Sequence, residues 1–265
     1  MSQLHRMGMD CFPLWMLYDN ALASMATEDE LMRSSFLFGS CTLCLIFAWP
    51  AMAQCPKPES ALLVVGDSLS AAHGIQTEAG WVALMQQRLL AMPLPITVHN
   101  VSISGQTAQE GATRLPAWLV QYRPQYVILA LGANDGLRGV SGPVLVKRLT
   151  AMVHQAHLAH AKVLLMGVRL PPNYGQAYLK AFRQAYQTVA KAEGIVYIPR
   201  MLWQVSDDAK WMQADRLHPT AAAQPRILNH VWPTILSWLG CQGAVKMPPS
   251  HAPIGDNGSK AKATK

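Results

Sequence analysis

The sequence predicts a three-layer, doubly wound α/β fold on a five-stranded parallel sheet, and three observations carry that expectation. Short apolar runs alternate with longer segments in which apolar residues recur at helical spacing, from about residue 60 to residue 240. Glycine-containing turns follow directly on several of those runs. Residues capable of chemistry collect just after the same runs, at the edge where open α/β sheets bind ligands.

The elements follow in chain order. Residues 61–65 (Ala61-Leu62-Leu63-Val64-Val65) read as the first strand, ended by Gly66. Further strands are expected at 96–99 (Ile96-Thr97-Val98-His99), 126–131, 162–166 and 195–198, each an apolar or β-branched run. Helices are expected at 78–91, 107–121, 143–160, 176–193 and 221–239. The third shows the pattern plainly, with Leu145, Leu149, Met152 and Val153 on one face. Five strands linked this way fit a flavodoxin-like order, 2-1-3-4-5. No internal repeat is present.

Four segments lie at the ends of these strands or on the last loop. The run Val64-Val65-Gly66-Asp67-Ser68-Leu69-Ser70 lifts a serine hydroxyl out of the sheet and, with a helical segment expected to begin almost at once, sets it at a helix N-terminus. Ile103-Ser104-Gly105-Gln106-Thr107 follows the second strand, and Gly132-Ala133-Asn134-Asp135-Gly136 follows the third. Asp215-Arg216-Leu217-His218-Pro219 precedes the final helix. Any one could be ordinary turn chemistry. Together they supply a serine, candidate oxyanion donors and a carboxylate–imidazole pair at one edge.

Gly66-Asp67-Ser68-Leu69-Ser70, Gly105, Gly132-Ala133-Asn134-Asp135-Gly136 and Asp215-x-x-His218-Pro219 resemble the four sequence blocks of the SGNH (GDSL) hydrolases. Between the blocks, Gly136-Leu137-Arg138-Gly139, Arg169-Leu170-Pro171-Pro172-Asn173-Tyr174-Gly175 and Trp211-Met212-Gln213 resemble the thioesterase I, lysophospholipase and arylesterase branch. The resemblance covers roughly residues 60–240 and implies an SGNH-type sheet. It implies Ser68 as nucleophile, His218 as base and Asp215 as the carboxylate that orients the imidazole. It also implies an oxyanion hole of the Ser68 and Gly105 backbone N–H groups and the Asn134 amide. A Gly-x-Ser-x-Gly elbow is absent around Ser68, which argues against the α/β-hydrolase fold. Residues 167–175 are expected at the same edge. A substrate-contacting role for Arg169, Pro171, Asn173 and Tyr174 and a merely rigid strand-to-helix connection both remain open there.

Plainer readings apply to several neighbours. Asp215 and His218 lack third and fourth ligands at a suitable spacing, so no metal is expected. His154, His157 and His160 drift around a helix and read as a solvated face. Asp67 and Asp135 read as braces of their own turns, and His73 and Trp81 as helix or pocket packing.

The chain of 265 residues is not expected to be one folded unit. Residues 32–53 carry Arg33, an apolar run at 36–49 and an Ala51-x-Ala53 site, the pattern of a secretory signal peptide. Gln54 before Cys55 argues against lipoprotein processing. Residues 1–31, with acidic Glu28-Asp29-Glu30, are expected to be an upstream extension outside the fold. Residues 54–242 are expected to form the hydrolase domain, and 243–265 a disordered tail. Only Cys55 and Cys241 lie beyond the signal, at the two ends of that domain. A stapling disulfide is plausible there in an oxidising compartment. The formal net charge of +7 is scattered rather than clustered with aromatics. That excludes a specific nucleic-acid partner and leaves at most a weak attraction to anionic lipid surfaces.

The expected function is a secreted or periplasmic, probe-reactive serine esterase, monomeric and free of cofactor. Its substrates would be small acyl esters and thioesters, including lysophospholipid, acyl-CoA-type and aryl or alkyl esters. Two alternatives stand beside it: a carbohydrate O-deacetylase, and a non-catalytic lipid-binding module on the same fold.

Overall fold

The computed structural model describes residues 60–92 and 96–241. The expected signal peptide, upstream extension and tail therefore lie outside the described residues, as does Cys55. Its proposed partner Cys241 is fully buried at the end of the last helix.

Five parallel strands make one sheet in the order β2-β1-β3-β4-β5. They are β1 (Ser60–Gly66), β2 (Ile96–Asn100), β3 (Tyr126–Ala130), β4 (Lys162–Met166) and β5 (Val196–Ile198). Strands β1 and β3 are central and apolar on both faces, as a sheet covered by helices on both sides requires. The two-residue pleat sorts their side chains into two cores. Leu62, Val64 and Ile128 pack among Trp81, Met85, Ile227 and Ile235 on one face. Leu63, Val65 and Leu129 pack among Leu115, Leu149, Phe182 and Val189 on the other.

The helices supply those layers. α1 (Trp81–Leu90) and α6 (Gln224–Trp238) cover the first face. α2 (Ala108–Tyr122), α4 (Gly142–Leu158) and α5 (Gln176–Glu193) cover the second. α2 starts where a capping box allows it: Thr107 Oγ1 accepts the Glu110 N–H, and Glu110 accepts the Thr107 N–H at 2.8 Å. α5 ends at Gly194 in the left-handed conformation.

Three local differences from the sequence reading have physical causes. The chain after Ser68 does not enter a helix. One turn closes as Ala71 N–H donates to the Asp67 carbonyl at 2.9 Å, then Ala72 turns left-handed (φ 57°) and α1 begins only at Trp81. The expected support from a helix dipole at the serine is therefore absent. A five-residue helix, α3 (Ala133–Leu137), stands where a turn was read. The last helix is preceded by a separate 3₁₀ turn at Ala221–Ala223.

Gly132 opens α3 with φ 114°, and a Cβ there would lie 2.2 Å from Tyr186 Oη, which donates to the Leu131 carbonyl at 2.9 Å. Gly132→Ala should cost about 2–4 kcal/mol through backbone strain and loss of that buried hydrogen bond. Urea unfolding of the variant checks the figure, and Gly139→Ala, equally left-handed (φ 74°) but with no atom within 4 Å of its Cβ, separates the backbone strain from the clash with Tyr186.

Candidate active site

The strand order reverses between β1 and β3, and the crevice at their C-terminal ends is where such sheets take ligands. Ser68 follows β1, Gly105 follows β2 and Asn134 follows β3. His218 arrives from a late loop held shut as a narrow hairpin. Its clasps are Gln213 N–H to the His218 carbonyl (2.7 Å), Thr220 N–H to the Trp211 carbonyl (2.8 Å) and an antiparallel bridge between Met212 and Pro219.

His218 Nε2 lies 2.8 Å from Ser68 Oγ, and His218 Nδ1 lies 2.6 Å from Asp215 Oδ2. The second carboxylate oxygen is used locally: Asp215 Oδ1 accepts the Leu217 and His218 N–H groups at 2.9 and 3.1 Å. Arg216, left-handed at φ 56°, lets the loop fold back over that oxygen. The His218 contact and these two backbone donors pull the Asp215 carboxyl down to about 2. It is therefore ionised at any working pH and fixes the proton on Nδ1, leaving Nε2 free to accept from the serine hydroxyl.

Gly105 sits at the third position of a turn closed by Gln106 N–H to the Ile103 carbonyl at 3.1 Å. Its φ of 80° suits glycine at this position of a type II turn, and no atom lies within 4 Å of the point a Cβ would occupy. The loop is pinned from α3: Asn134 Nδ2 donates to the Gln106 carbonyl (3.1 Å) and Arg138 to the Gly105 carbonyl (3.2 Å). One Asn134 N–H is thus engaged by the loop, and the other is free by valence to meet a ligand in the cleft that Asn134 lines.

These groups line a cleft of about 550 Å³ whose wall includes Leu137, Val168, Leu170, Pro171, Leu202 and Met212. That size suits a small-molecule ligand. The loop from β4 contributes unevenly. Arg169 and Pro171 line the cleft, and the Arg169 guanidinium is paired with Asp207. Asn173 and Tyr174 do not line it; Tyr174 Oη donates to the Leu137 carbonyl at 2.8 Å and stacks on Tyr178. The loop's rigid-connection reading thus fits Tyr174, and the cleft-lining reading fits Arg169 and Pro171.

Asp67 does brace its own turn, accepting the Leu69 N–H at 3.0 Å. Asp135 does not. It is fully buried and ties α3 to distant elements, accepting the Ala108 N–H and the Arg148 guanidinium, both at 2.7 Å. Trp81 is core, as read. His73 takes the pocket alternative of its reading: it is exposed on the cleft wall with its ring 4.4 Å from that of His218. Nothing in the local pattern announces this, because the partner is far along the chain. His154 is largely exposed, with Nε2 3.0 Å from a Glu193 carboxylate. Among the described residues no group of three or more His, Cys, Asp or Glu is placed to hold a metal ion.

The chain is similar to several known proteins over this same region. The model of the GDSL-like Lipase/Acylhydrolase family matches residues 64–225. Esterase TesA of Pseudomonas aeruginosa is 46% identical over 204 residues, 77% of this chain and 98% of that protein. Thioesterase 1/protease 1/lysophospholipase L1 of Escherichia coli K12 is 40% identical over 168 residues, 63% of this chain and 79% of that protein. A solved structure of the psychrotrophic esterase EstA from Pseudoalteromonas, inhibited by monoethylphosphonate, superposes with a TM-score of 0.66 at 38% identity. It covers 68% of this chain and 99% of that one. A five-stranded parallel sheet, a serine–histidine–aspartate constellation at its switch point and likeness along most of the domain converge: the chain belongs to the GDSL-like lipase/acylhydrolase family, the SGNH hydrolases.

Proposed function

We propose that the chain is a serine esterase that hydrolyses small acyl esters and thioesters through an acyl-enzyme on Ser68. The observation that carries the reading is the unbroken relay from Asp215 Oδ2 to His218 Nδ1 (2.6 Å) and from His218 Nε2 to Ser68 Oγ (2.8 Å). Ser68 Oγ attacks the carbonyl carbon while its proton passes to Nε2. The negative oxygen that forms is met by the Ser68 and Gly105 N–H groups and by the free Asn134 N–H. The carbon–oxygen or carbon–sulfur bond then breaks, and the Nε2 proton goes to the departing atom. Water, activated by the same imidazole, repeats the sequence and releases the acid.

The apolar wall of Leu137, Val168, Leu170 and Leu202 favours an acyl chain over a sugar, and so favours an esterase over a carbohydrate deacetylase. The names of the relatives, an esterase and a thioesterase/lysophospholipase, support thioesters and lysophospholipids among the substrates. Among the described residues no helix is long and apolar enough to cross a membrane. The leader read from residues 32–53 supports a periplasmic or secreted enzyme.

Hydrolysis of p-nitrophenyl esters and acyl-CoA thioesters of graded length tests the reading, and inactivity on both would overturn it. Asn134→Ala should lower kcat by on the order of 100- to 1,000-fold, with little change in KM, because the amide meets charge that appears only in the transition state. A rise in KM at unchanged kcat would remove Asn134 from that role. Its tie to the Gln106 carbonyl makes an intact Tm the necessary companion measurement.

A further inference from the structure

We infer that His73 and Ser104 form a leaving-group subsite selecting alcohols that carry additional hydrogen-bonding oxygens, glycerol-like rather than alkyl. The inference rests on the reading of Ser68 and His218 as nucleophile and base.

The cleft is divided along the strand order. From the ends of β3, β4 and β5 it receives Leu137, Val168, Leu170 and Leu202, a mainly apolar half in which Ser206 and the Asp207-paired Arg169 are the polar members. From the loops after β1 and β2, on the other side of Ser68, it receives His73 and Ser104, both exposed and both polar. Ser104 Oγ lies 3.4 Å from His73 Nδ1, so the two groups face one small region of the wall.

The chemistry fixes which end of the substrate meets that region. The carbonyl oxygen must point to Gly105 and Asn134, and the departing oxygen must come within reach of His218 Nε2 to receive its proton. The acyl chain then takes the apolar half, and the alcohol leaves beside His218. His73 is the side chain packed there, its ring 4.4 Å from that of His218 and tilted by 45°. An alcohol bearing a second hydroxyl one or two carbons from the ester oxygen can bond to the imidazole and to the Ser104 hydroxyl. A plain alkyl group offers neither of them a partner and leaves them to each other and to solvent.

The placement of His73 is built rather than incidental. Left-handed Ala72 and Gly74 flank it (φ 57° and 75°), and Gln213 Nε2 donates to its carbonyl at 2.8 Å. The same Gln213 amide donates to the Pro219 carbonyl at 3.0 Å. One side chain therefore holds the His73 turn and the His218 loop in a common frame.

The test compares two butyrate esters of equal carbon count, glycerol monobutyrate and propyl butyrate, with the acyl group held constant. The purified protein should prefer the glyceryl ester in kcat/KM by about tenfold, the worth of one good hydrogen bond. His73→Phe keeps an aromatic ring against His218 but removes the nitrogens, and should erase most of that ratio. Ser104→Ala should reduce it by a smaller factor. A ratio near one in the unaltered protein, or a ratio unchanged in both variants, overturns the proposal. So does a fall of both esters by the same factor in His73→Phe, which would make His73 a support of His218 alone. Failure of the parent reading has a separate signature: neither ester is hydrolysed and a fluorophosphonate probe does not label the protein.

Discussion

Ser68→Ala is expected to abolish labelling by a fluorophosphonate probe and to lower ester turnover by on the order of 10⁴- to 10⁶-fold, with the fold intact. The size follows from the relay. Once the hydroxyl is gone, the imidazole, the carboxylate and the oxyanion donors have no attacking atom to serve, and what remains is binding and polarisation of the carbonyl. The fold should survive because Ser68 Oγ contacts His218 Nε2 at the rim of a cleft and anchors no core element. Near-wild-type circular dichroism and Tm alongside lost labelling would separate chemistry from collapse. A variant that kept even a tenth of the esterase activity would remove Ser68 from the nucleophile's role. The family's EstA, solved with monoethylphosphonate as inhibitor, makes a phosphonate the natural probe chemistry.

The sheet was legible because each strand is a short apolar run with its own stop, and the observed β4 (Lys162–Met166) coincides with the expected strand residue for residue. Central strands buried on both faces leave little choice of residue type, so the sequence there states its environment directly. Helix starts were less legible. Residues 68–73 offer no glycine or proline to stop a helix, yet Ala72 is driven left-handed in a turn whose following carbonyl is held by Gln213, a residue far along the chain. α3 was missed because five residues headed by glycine carry the same local signal as a turn.

In the site, the four blocks could be read because each supplies its chemistry within a few residues. The structure brings Ser68, Asp215 and His218 into hydrogen-bonding distance, and Gly105 and Asn134 onto the same cleft. What escaped reading depends on contacts between blocks. His73 acquires its place from a ring contact with His218, and Asp135 from its bonds to Ala108 and Arg148. Arg169 draws its partner from a later loop, at Asp207. Periodicity and turn chemistry describe neighbours in sequence, and these partners are neighbours only in space.

Asp67 should give the protein a stability that falls as pH rises from about 4 to about 6. The carboxyl is 1% exposed, and Oδ1 accepts the Leu69 N–H while no partner meets Oδ2. Burial pushes its pKa from 3.8 up to about 6; the Leu69 N–H and the His218 charge pull the other way without prevailing, and Asp135 adds to the rise. The sign follows from proton counting. Between the two values the native state keeps a proton that the unfolded chain has released, so raising the pH favours unfolding. Below about 4 both states are protonated and the contribution is complete; above about 6 both are ionised and it is lost. A difference of roughly two pKa units corresponds to ~3 kcal/mol. Asp67→Asn preserves the acceptor for Leu69 but cannot titrate, so its stability should lack this component. Urea unfolding of both proteins at pH 4, 5, 6 and 7 reads the effect as a difference, in which the titration of every other group cancels to first order. The two curves should converge toward one spacing below pH 4 and reach another above pH 6. Parallel curves across the range would show that Asp67 is ionised in the native state as readily as in the unfolded chain.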